Sequence, residues 1–101
     1  MQAPTAEALM RSRYSAFVLG LQTYLLETWH PGTRPPMIEP DPPGLHWLGL
    51  QIRAVQGLDA DRATVEFVAR CKLGGRAQRL HEVSLFERVA ERWFYVSGQI
   101  K

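Results

Sequence analysis

Residues 62–89 read RATVEFVARCKLGGRAQRLHEVSLFERV, and this stretch decides the fold of the chain. Apolar and polar residues alternate from Ala63 to Cys71, a pattern typical of a β-strand with one buried face. Gly74 and Gly75 form a two-residue hairpin signal, because glycine adopts the positive φ that such turns require. The pattern of a second strand covers residues 80–89. The stretch therefore predicts an antiparallel β-hairpin.

The hairpin leaves two registers open, and they differ in where Glu82 lies. A two-residue turn pairs Phe67 with Glu82 and Val65 with Ser84, which places both polar side chains on the apolar face. A shift by one residue would instead expose Glu82. It would bury three apolar residues, Val83, Leu85 and Val89. The apolar pattern slightly favours the shifted register, whereas the Gly-Gly turn favours the first one.

Helical patterns precede the hairpin. Thr5 can cap a first helix, and Gly20 lies near its natural end. At helical spacing, one apolar face contains Ala6, Met10, Tyr14, Phe17 and Leu21, with Leu9 at its edge. Thr23 is a candidate cap for a short second helix that extends through Trp29 and ends at Pro31.

Two further strands flank the hairpin. Residues 47–55 form the first, and one of its faces contains Leu48, Leu50, Ile52 and Ala54. Residues 57–61 read as a turn. A last strand covers residues 92–96, and a tight turn at the weak signal Ala90-Glu91 would add Trp93 and Tyr95 to the inner face. Helices followed by an antiparallel meander predict an α+β fold.

Length and composition predict one domain, residues 1–101, with 46% apolar and 22% charged residues. Six of the seven prolines lie in residues 31–44, which we interpret as an ordered connector within the domain. The single cysteine, Cys71, predicts a cytoplasmic protein without a disulfide. No apolar run is long enough to span a membrane. We expect the protein to be a monomer or a weak homodimer.

The formal net charge of +2 is too small to indicate nucleic-acid binding. Basic residues do cluster at one hairpin tip: Arg70, Lys72, Arg76 and Arg79. A solvated hairpin is the favoured interpretation, and a patch for an anionic partner is the alternative. The three histidines and Cys71 have no spacing that indicates a metal site or a nucleophilic triad. We therefore predict no metal and no cofactor.

Arg13 and Glu82 are polar residues that the patterns place on apolar faces. Arg13 lies on or beside the apolar stripe of the first helix, and in the first register Glu82 faces that helix. The two side chains form a natural pair, because an unpaired buried carboxylate is costly. Such a pair is either structural or part of a pocket in which Glu82 acts as an acid, a base or an anchor.

Several segments resemble the YchJ-like family, and together they cover nearly the whole chain. They are LMRSRYSAF (9–17), TWHP (28–31), WLGL (47–50), VEFVAR (65–70), EVSLF (82–86) and RWFYVSG (92–98). The resemblance implies an NTF2-like (cystatin-like) fold, with N-terminal helices packed in the concave side of a curved four-stranded antiparallel sheet. Family members often carry arginine at the positions of Val83 and Leu85. That implies solvent-facing positions and favours the register with Glu82 inside.

Family members commonly flank this domain with SEC-C motifs, which are cysteine-rich and bind zinc. This chain has neither motif, so the implied zinc and partner contacts do not transfer. We expect it to be an excised domain or a short natural version. The family resemblance implies a bacterial protein and no established activity.

Three hypotheses follow for the function. The first is an accessory domain that binds a small ligand or a protein partner through a concave pocket. Its predicted lining is Arg13, Tyr14, Phe67, Glu82, Ser84, Trp93 and Tyr95. The second is an enzyme of isomerase or hydrolase type, with Glu82 as general base and Tyr14 or Tyr95 as proton donor. The third is a purely structural or interaction module.

Overall fold

A computed structural model describes residues 3–101, so the first two residues of the predicted domain lie outside the described residues. Its elements are α1 (Ala6–Leu19), α2 (Gln22–Glu27), β1 (Leu45–Asp59), β2 (Arg62–Leu73), β3 (Arg76–Val89) and β4 (Arg92–Ile100). The strands form one antiparallel sheet in the order β1-β2-β3-β4, and α1 packs against it. The predicted α+β class is confirmed.

Helix α1 begins and ends where the sequence indicates. The hydroxyl of Thr5 accepts a hydrogen bond from the Ala8 N–H at 3.0 Å, and Gly20 ends the helix with a φ of 71°. The predicted place of Leu21 on the buried face is wrong, because the left-handed Gly20 turns the chain and leaves Leu21 48% exposed. The buried face consists of Ala6, Leu9, Met10, Arg13 and Ala16.

Helix α2 differs from its prediction at both ends. It begins at Gln22, so Thr23 lies inside the helix and does not cap it, and Leu21 occupies the cap position without a side-chain hydrogen bond. Trp29 lies beyond the end of the helix and forms a parallel bridge with Tyr95.

That bridge uses the outer edge of β4. The Tyr95 N–H donates to the Thr28 carbonyl at 2.8 Å, and the His30 N–H donates to the Tyr95 carbonyl at 2.7 Å. An edge strand has backbone N–H and C=O groups that no other strand of the sheet pairs with. The segment after α2 pairs with these groups of β4, which it could not do if the helix continued through Trp29.

The central hairpin has the register that its Gly-Gly turn favours. Phe67 pairs with Glu82 and Val65 with Ser84. Gly74 and Gly75 have φ values of 58° and 79°, as a two-residue turn of this kind requires. Glu82 and Ser84 therefore lie on the sheet face that packs against the helices.

Strand β1 contains a bulge that reverses part of its predicted face. Trp47 pairs with Cys71 and Gly49 with Arg70, which leaves Leu48 unpaired and 57% exposed. A bulge adds one residue to the strand and so inverts the alternation that the sequence pattern assumes. The predicted shared face of Leu48, Leu50, Ile52 and Ala54 is therefore wrong: Trp47, Leu50 and Ile52 pack against the core, and Ala54 is exposed after a second irregularity.

The turns on either side of the central hairpin are tighter than the sequence suggests. β1 continues to Asp59, so most of the predicted turn 57–61 belongs to the strand. Ala90 and Glu91 form a two-residue turn with positive φ values of 50° and 66°. This turn places Trp93 and Tyr95 on the inner face, where both pack against the core.

Residues 31–44 contain no helix and no strand. The Thr33 hydroxyl donates to the Val96 carbonyl at 2.8 Å, which attaches the beginning of this segment to β4. Near its other end, Asp41 accepts a hydrogen bond from the indole Nε1 of Trp47 at 2.9 Å. The segment is thus held at both ends, and it brings Asp41 beside the sheet.

Candidate functional site

A cavity of about 300 Å³ lies between α1 and the inner face of the sheet. Six of the seven side chains predicted to line a pocket surround it. Arg13 and Tyr14 come from α1, and the sheet contributes Phe67, Glu82, Ser84 and Tyr95. Alternation along β2, β3 and β4 explains the sheet residues, because every second side chain points toward the helices.

Trp93 does not line this cavity. It shares the inner face with Tyr95 but lies two residues nearer the Ala90-Glu91 turn, opposite Arg88. The Arg88 guanidinium lies 5.7 Å from the centre of its indole ring. Two residues along a strand span roughly 7 Å, which places Trp93 beyond the cavity.

The Arg13 guanidinium is buried, with 3% of the residue exposed. Its Nη1 donates hydrogen bonds to the Leu25 carbonyl at 2.8 Å and to the Thr28 hydroxyl at 2.7 Å. Its Cζ lies 4.6 Å from the centre of the Tyr95 ring and 5.4 Å from that of Trp29. Burial lowers the pKa of Arg13 to about 10, so the side chain stays charged at neutral pH.

The predicted pairing of Arg13 with Glu82 is wrong. The two side chains form no salt bridge within residues 3–101. Arg13 instead reaches the carboxyl end of α2, where Leu25 presents a carbonyl oxygen near the negative end of the helix dipole. Aromatic faces complete its surroundings, so the guanidinium does not depend on a carboxylate.

Glu82 has a partner of its own. The Ser84 hydroxyl, from a residue only 1% exposed, donates to Glu82 Oε2 at 2.6 Å. No donor contacts Oε1 within the part of the chain that the structure describes. Gly98 makes room for this carboxylate, because a Cβ at that position would overlap its atoms. Glu82 is therefore held on the cavity wall by one hydrogen bond from the part of the chain that the structure describes.

Both cavity tyrosines are proton donors at neutral pH. Burial, assisted by the nearby negative charge of Glu82, raises the pKa of Tyr95 to about 12. Burial also raises the pKa of Tyr14. Neither phenol can serve as a base near neutrality, so Glu82 is the basic group among the six predicted residues around the cavity.

Trp29, Trp47 and Asp41 also line the cavity, and sequence reasoning did not place them there. Trp47 packs edge-on to Tyr14, with ring centres 5.8 Å apart, and Trp29 packs edge-on to Tyr95 at 4.9 Å. The Trp29 indole nitrogen is buried and has no hydrogen-bond partner among residues 3–101. The Asp41–Trp47 contact had no signal in the sequence, since it depends on the path of the connector.

The remaining candidate residues lie away from the cavity. None of the three histidines lines it, and Cys71 is buried without lining it. Within residues 3–101, no cluster of His, Cys, Asp and Glu side chains could hold a metal ion. Neither described helix has the length and hydropathy needed to cross a bilayer. The four basic residues of the hairpin tip are exposed, and Arg70 pairs directly with Arg79.

Proteins of known sequence include close relatives of this chain. A UPF0225 protein of Bordetella pertussis is 59% identical over 101 residues, which are all of this chain and 76% of that protein. A UPF0225 protein of Methylibium petroleiphilum is 61% identical over 100 residues, 99% of this chain and 74% of that protein.

Two solved structures share the fold. The solution structure of a SEC-C motif containing protein from Rhodopseudomonas palustris matches with a TM-score of 0.86 and 34% identity, covering 98% of this chain and 80% of that one. The crystal structure of a SEC-C motif containing protein from Psychrobacter arcticus matches with a TM-score of 0.80 and 30% identity, covering 100% and 63%. A family model described as the YchJ middle NTF2-like domain matches residues 5–98. The chain therefore belongs to the family of YchJ middle NTF2-like domains, and its close homologues are bacterial UPF0225 proteins.

Proposed function

We propose that this domain binds a small organic molecule in the cavity between α1 and the sheet. The observation that carries the proposal is an open volume of about 300 Å³ beside a carboxylate with which Arg13 forms no salt bridge. Ligand pockets in proteins are typically of this size or larger, with mostly apolar walls and a few convergent polar groups. The volume suits a small molecule better than a protein segment.

A purely structural role would favour a different arrangement. A buried ion pair that only fixed helix on sheet would bring Arg13 against Glu82 and fill the space between them. Here each group has separate partners and a void remains.

We take the whole chain as one NTF2-like (cystatin-like) domain of the cytoplasm, with helices in the concave face of a curved sheet and residues 31–44 as its connector.

A fragment screen by ligand-observed NMR tests the proposal. Replacement of Ala69, a buried lining residue, by leucine narrows the cavity. Ala77→Leu makes the same change at an exposed position on β3 and serves as the matched control. We expect fragments that bind wild type and Ala77→Leu but not Ala69→Leu. A screen without any bound fragment, or with binding that Ala69→Leu leaves intact, would reject the proposal.

Catalysis is the second candidate function, and one observation favours it. A carboxylate with an unused oxygen and a protonated phenol, Tyr95, line the same cavity. In this case Glu82 would remove a proton from a bound substrate, and Tyr95 or Tyr14 would donate a hydrogen bond to the charge that develops. Glu82→Gln would then retain binding of a converted ligand and lose its turnover. Unchanged turnover in that variant would exclude the role.

A further inference from the structure

We propose that the cavity selects ligands that carry a positively charged amine, with the ammonium group against Glu82 and the rest of the molecule against the aromatic walls. This inference rests on the ligand-binding function proposed above and names the chemical class of the ligand. Three features of the cavity support it: a carboxylate that forms no salt bridge with residues 3–101, a guanidinium that already bonds other protein groups, and several aromatic rings in the wall.

The first feature is the carboxylate. Glu82 accepts one hydrogen bond, from Ser84, whereas an ionised carboxylate can accept about four. It forms no salt bridge with any residue from 3 to 101. A cation or a strong donor in the cavity would therefore find lone pairs on Glu82 that it could bond.

The second feature is that Arg13 is already engaged. Its Nη1 donates to Leu25 and Thr28, and its Cζ lies 4.6 Å from the ring centre of Tyr95 and 5.4 Å from that of Trp29. With 3% of the residue exposed, it presents little surface to a ligand. It therefore neutralises part of the local field without pairing with Glu82, and it is a poor anchor for an anionic ligand.

The third feature is the aromatic wall. Trp47 packs against Tyr14 and Phe17 in the cavity wall, and the centres of these two rings lie 5.8 Å and 6.1 Å from that of Trp47. Phe67 lies on the sheet side. These rings offer a flat apolar surface for the rest of such a ligand, and their quadrupoles also attract a cation held nearby.

Asp41 adds a second carboxylate to the lining. Its Oδ2 accepts from the Trp47 indole, and the residue is exposed at the rim. Two carboxylates against one guanidinium leave the lining residues with a net negative charge, and no histidine or lysine lines the cavity. This balance favours a cationic ligand over an anionic one.

Three probes of similar size and different charge test the inference: benzylamine, benzyl alcohol and phenylacetate. Their dissociation constants for the wild-type protein are measured at neutral pH by NMR shift titration. We expect benzylamine to bind about tenfold or more tightly than benzyl alcohol, and phenylacetate to bind most weakly. The comparison uses wild-type protein and so does not depend on the folding of a variant.

Glu82→Gln then assigns the preference to one residue. It removes the charge but keeps an acceptor for Ser84, and we expect benzylamine to lose its advantage over benzyl alcohol. Glu66→Gln is the matched control, since Glu66 lies on the adjacent strand and on the opposite face, where it bonds His81 at 2.6 Å. Retention of the preference in Glu82→Gln would overturn the assignment.

The outcomes separate this inference from the proposed function. If phenylacetate or benzyl alcohol binds as tightly as benzylamine, the amine preference is wrong and ligand binding stands. The same holds if benzylamine fails to bind while other fragments bind in a manner that Ala69→Leu abolishes. If no probe and no fragment binds, both proposals fall.

Discussion

Replacing Gly98 with alanine tests whether this glycine is present to make room for the Glu82 carboxylate. Gly98 pairs with Ser84 on the neighbouring strand, and the space above its Cα is occupied by the end of the Glu82 side chain. Its φ is not positive, so alanine itself fits the backbone. Any penalty must therefore come from the displaced carboxylate.

The size of the effect follows from two opposing contributions. Alanine in place of glycine within a strand ordinarily stabilises a protein by about 0.5–1 kcal/mol. Displacement of the carboxylate breaks the hydrogen bond from Ser84, and bonds to charged groups contribute about 1.5–3 kcal/mol. Ser84 would also keep an unpaired hydroxyl in a nearly fully buried position. We expect Gly98→Ala to lower the free energy of unfolding by about 1–2 kcal/mol.

A double-mutant cycle with Glu82→Ala isolates the contact. Without the carboxylate, Gly98→Ala should raise the free energy of unfolding by about 0.5–1 kcal/mol, so the coupling energy is about 2 kcal/mol. The free energies of unfolding of all four proteins are measured by urea unfolding, followed by tryptophan fluorescence under the same conditions. If Gly98→Ala changes stability equally in both backgrounds, the glycine does not serve the carboxylate and Glu82 does not lie against it.

Three further predictions follow from other contacts. Glu82→Gln should lower the free energy of unfolding by less than about 1 kcal/mol, because no ion pair with Arg13 is broken and glutamine still accepts from Ser84; a loss of about 3–5 kcal/mol in urea unfolding would indicate a buried ion pair after all. Glu91→Gly should raise that free energy by about 1 kcal/mol, since Glu91 has a φ of 66° that glycine adopts without strain, and an unchanged or lower melting temperature would contradict this. In an alkaline titration followed by tyrosinate absorbance, one ionisation step should have a pKa of about 12, and this step should be absent in Tyr95→Phe. Between pH 10 and 12 the folded protein keeps the Tyr95 proton, whereas the unfolded chain releases it near the ordinary pKa of 10.0, so Tyr95 lowers the free energy of unfolding as pH rises. Arg13, whose pKa is lowered to about 10, has the opposite effect over that range. The two effects oppose each other in a stability measurement, so the absorbance titration is the readout.

Local chemistry sufficed to predict the frame of the domain. The Gly-Gly turn favours one of the two possible hairpin registers, and the resemblance to the family favours the same one. That register predicts Glu82 and Ser84 on the inner face, where they are found. Thr5 and Gly20 mark the ends of α1 in the same way, because a cap depends on residues within a few positions of it. The six pocket residues follow from these short-range signals together with the resemblance to the family.

Tertiary structure decided the contacts that give the cavity its character. Arg13 and Glu82 are natural partners by charge, yet Arg13 bonds closer acceptors at the end of α2 and Glu82 bonds Ser84. The bulge at Leu48 turns Trp47 toward the core, and the edge of β4 pairs with Trp29 beyond the end of its helix.

These outcomes share one physical reason. Strong turn and cap signals, such as Gly74-Gly75, Thr5 and Gly20, depend on backbone preferences within a few residues, so they can be read from the sequence. The weaker cap signal at Thr23 was wrong. The choice of a side chain's partner, the position of a bulge and the pairing at a sheet edge depend on which groups remain unpaired once distant segments meet. A single hydrogen bond contributes only about 1 kcal/mol to the free energy of unfolding, so local sequence does not decide between such alternatives. The sequence therefore indicated the elements and their order, and together with the family resemblance it favoured the register of the central hairpin. Only the folded chain decided that Arg13 and Glu82 bond separate partners on the wall of an open cavity and do not form a sealed ion pair.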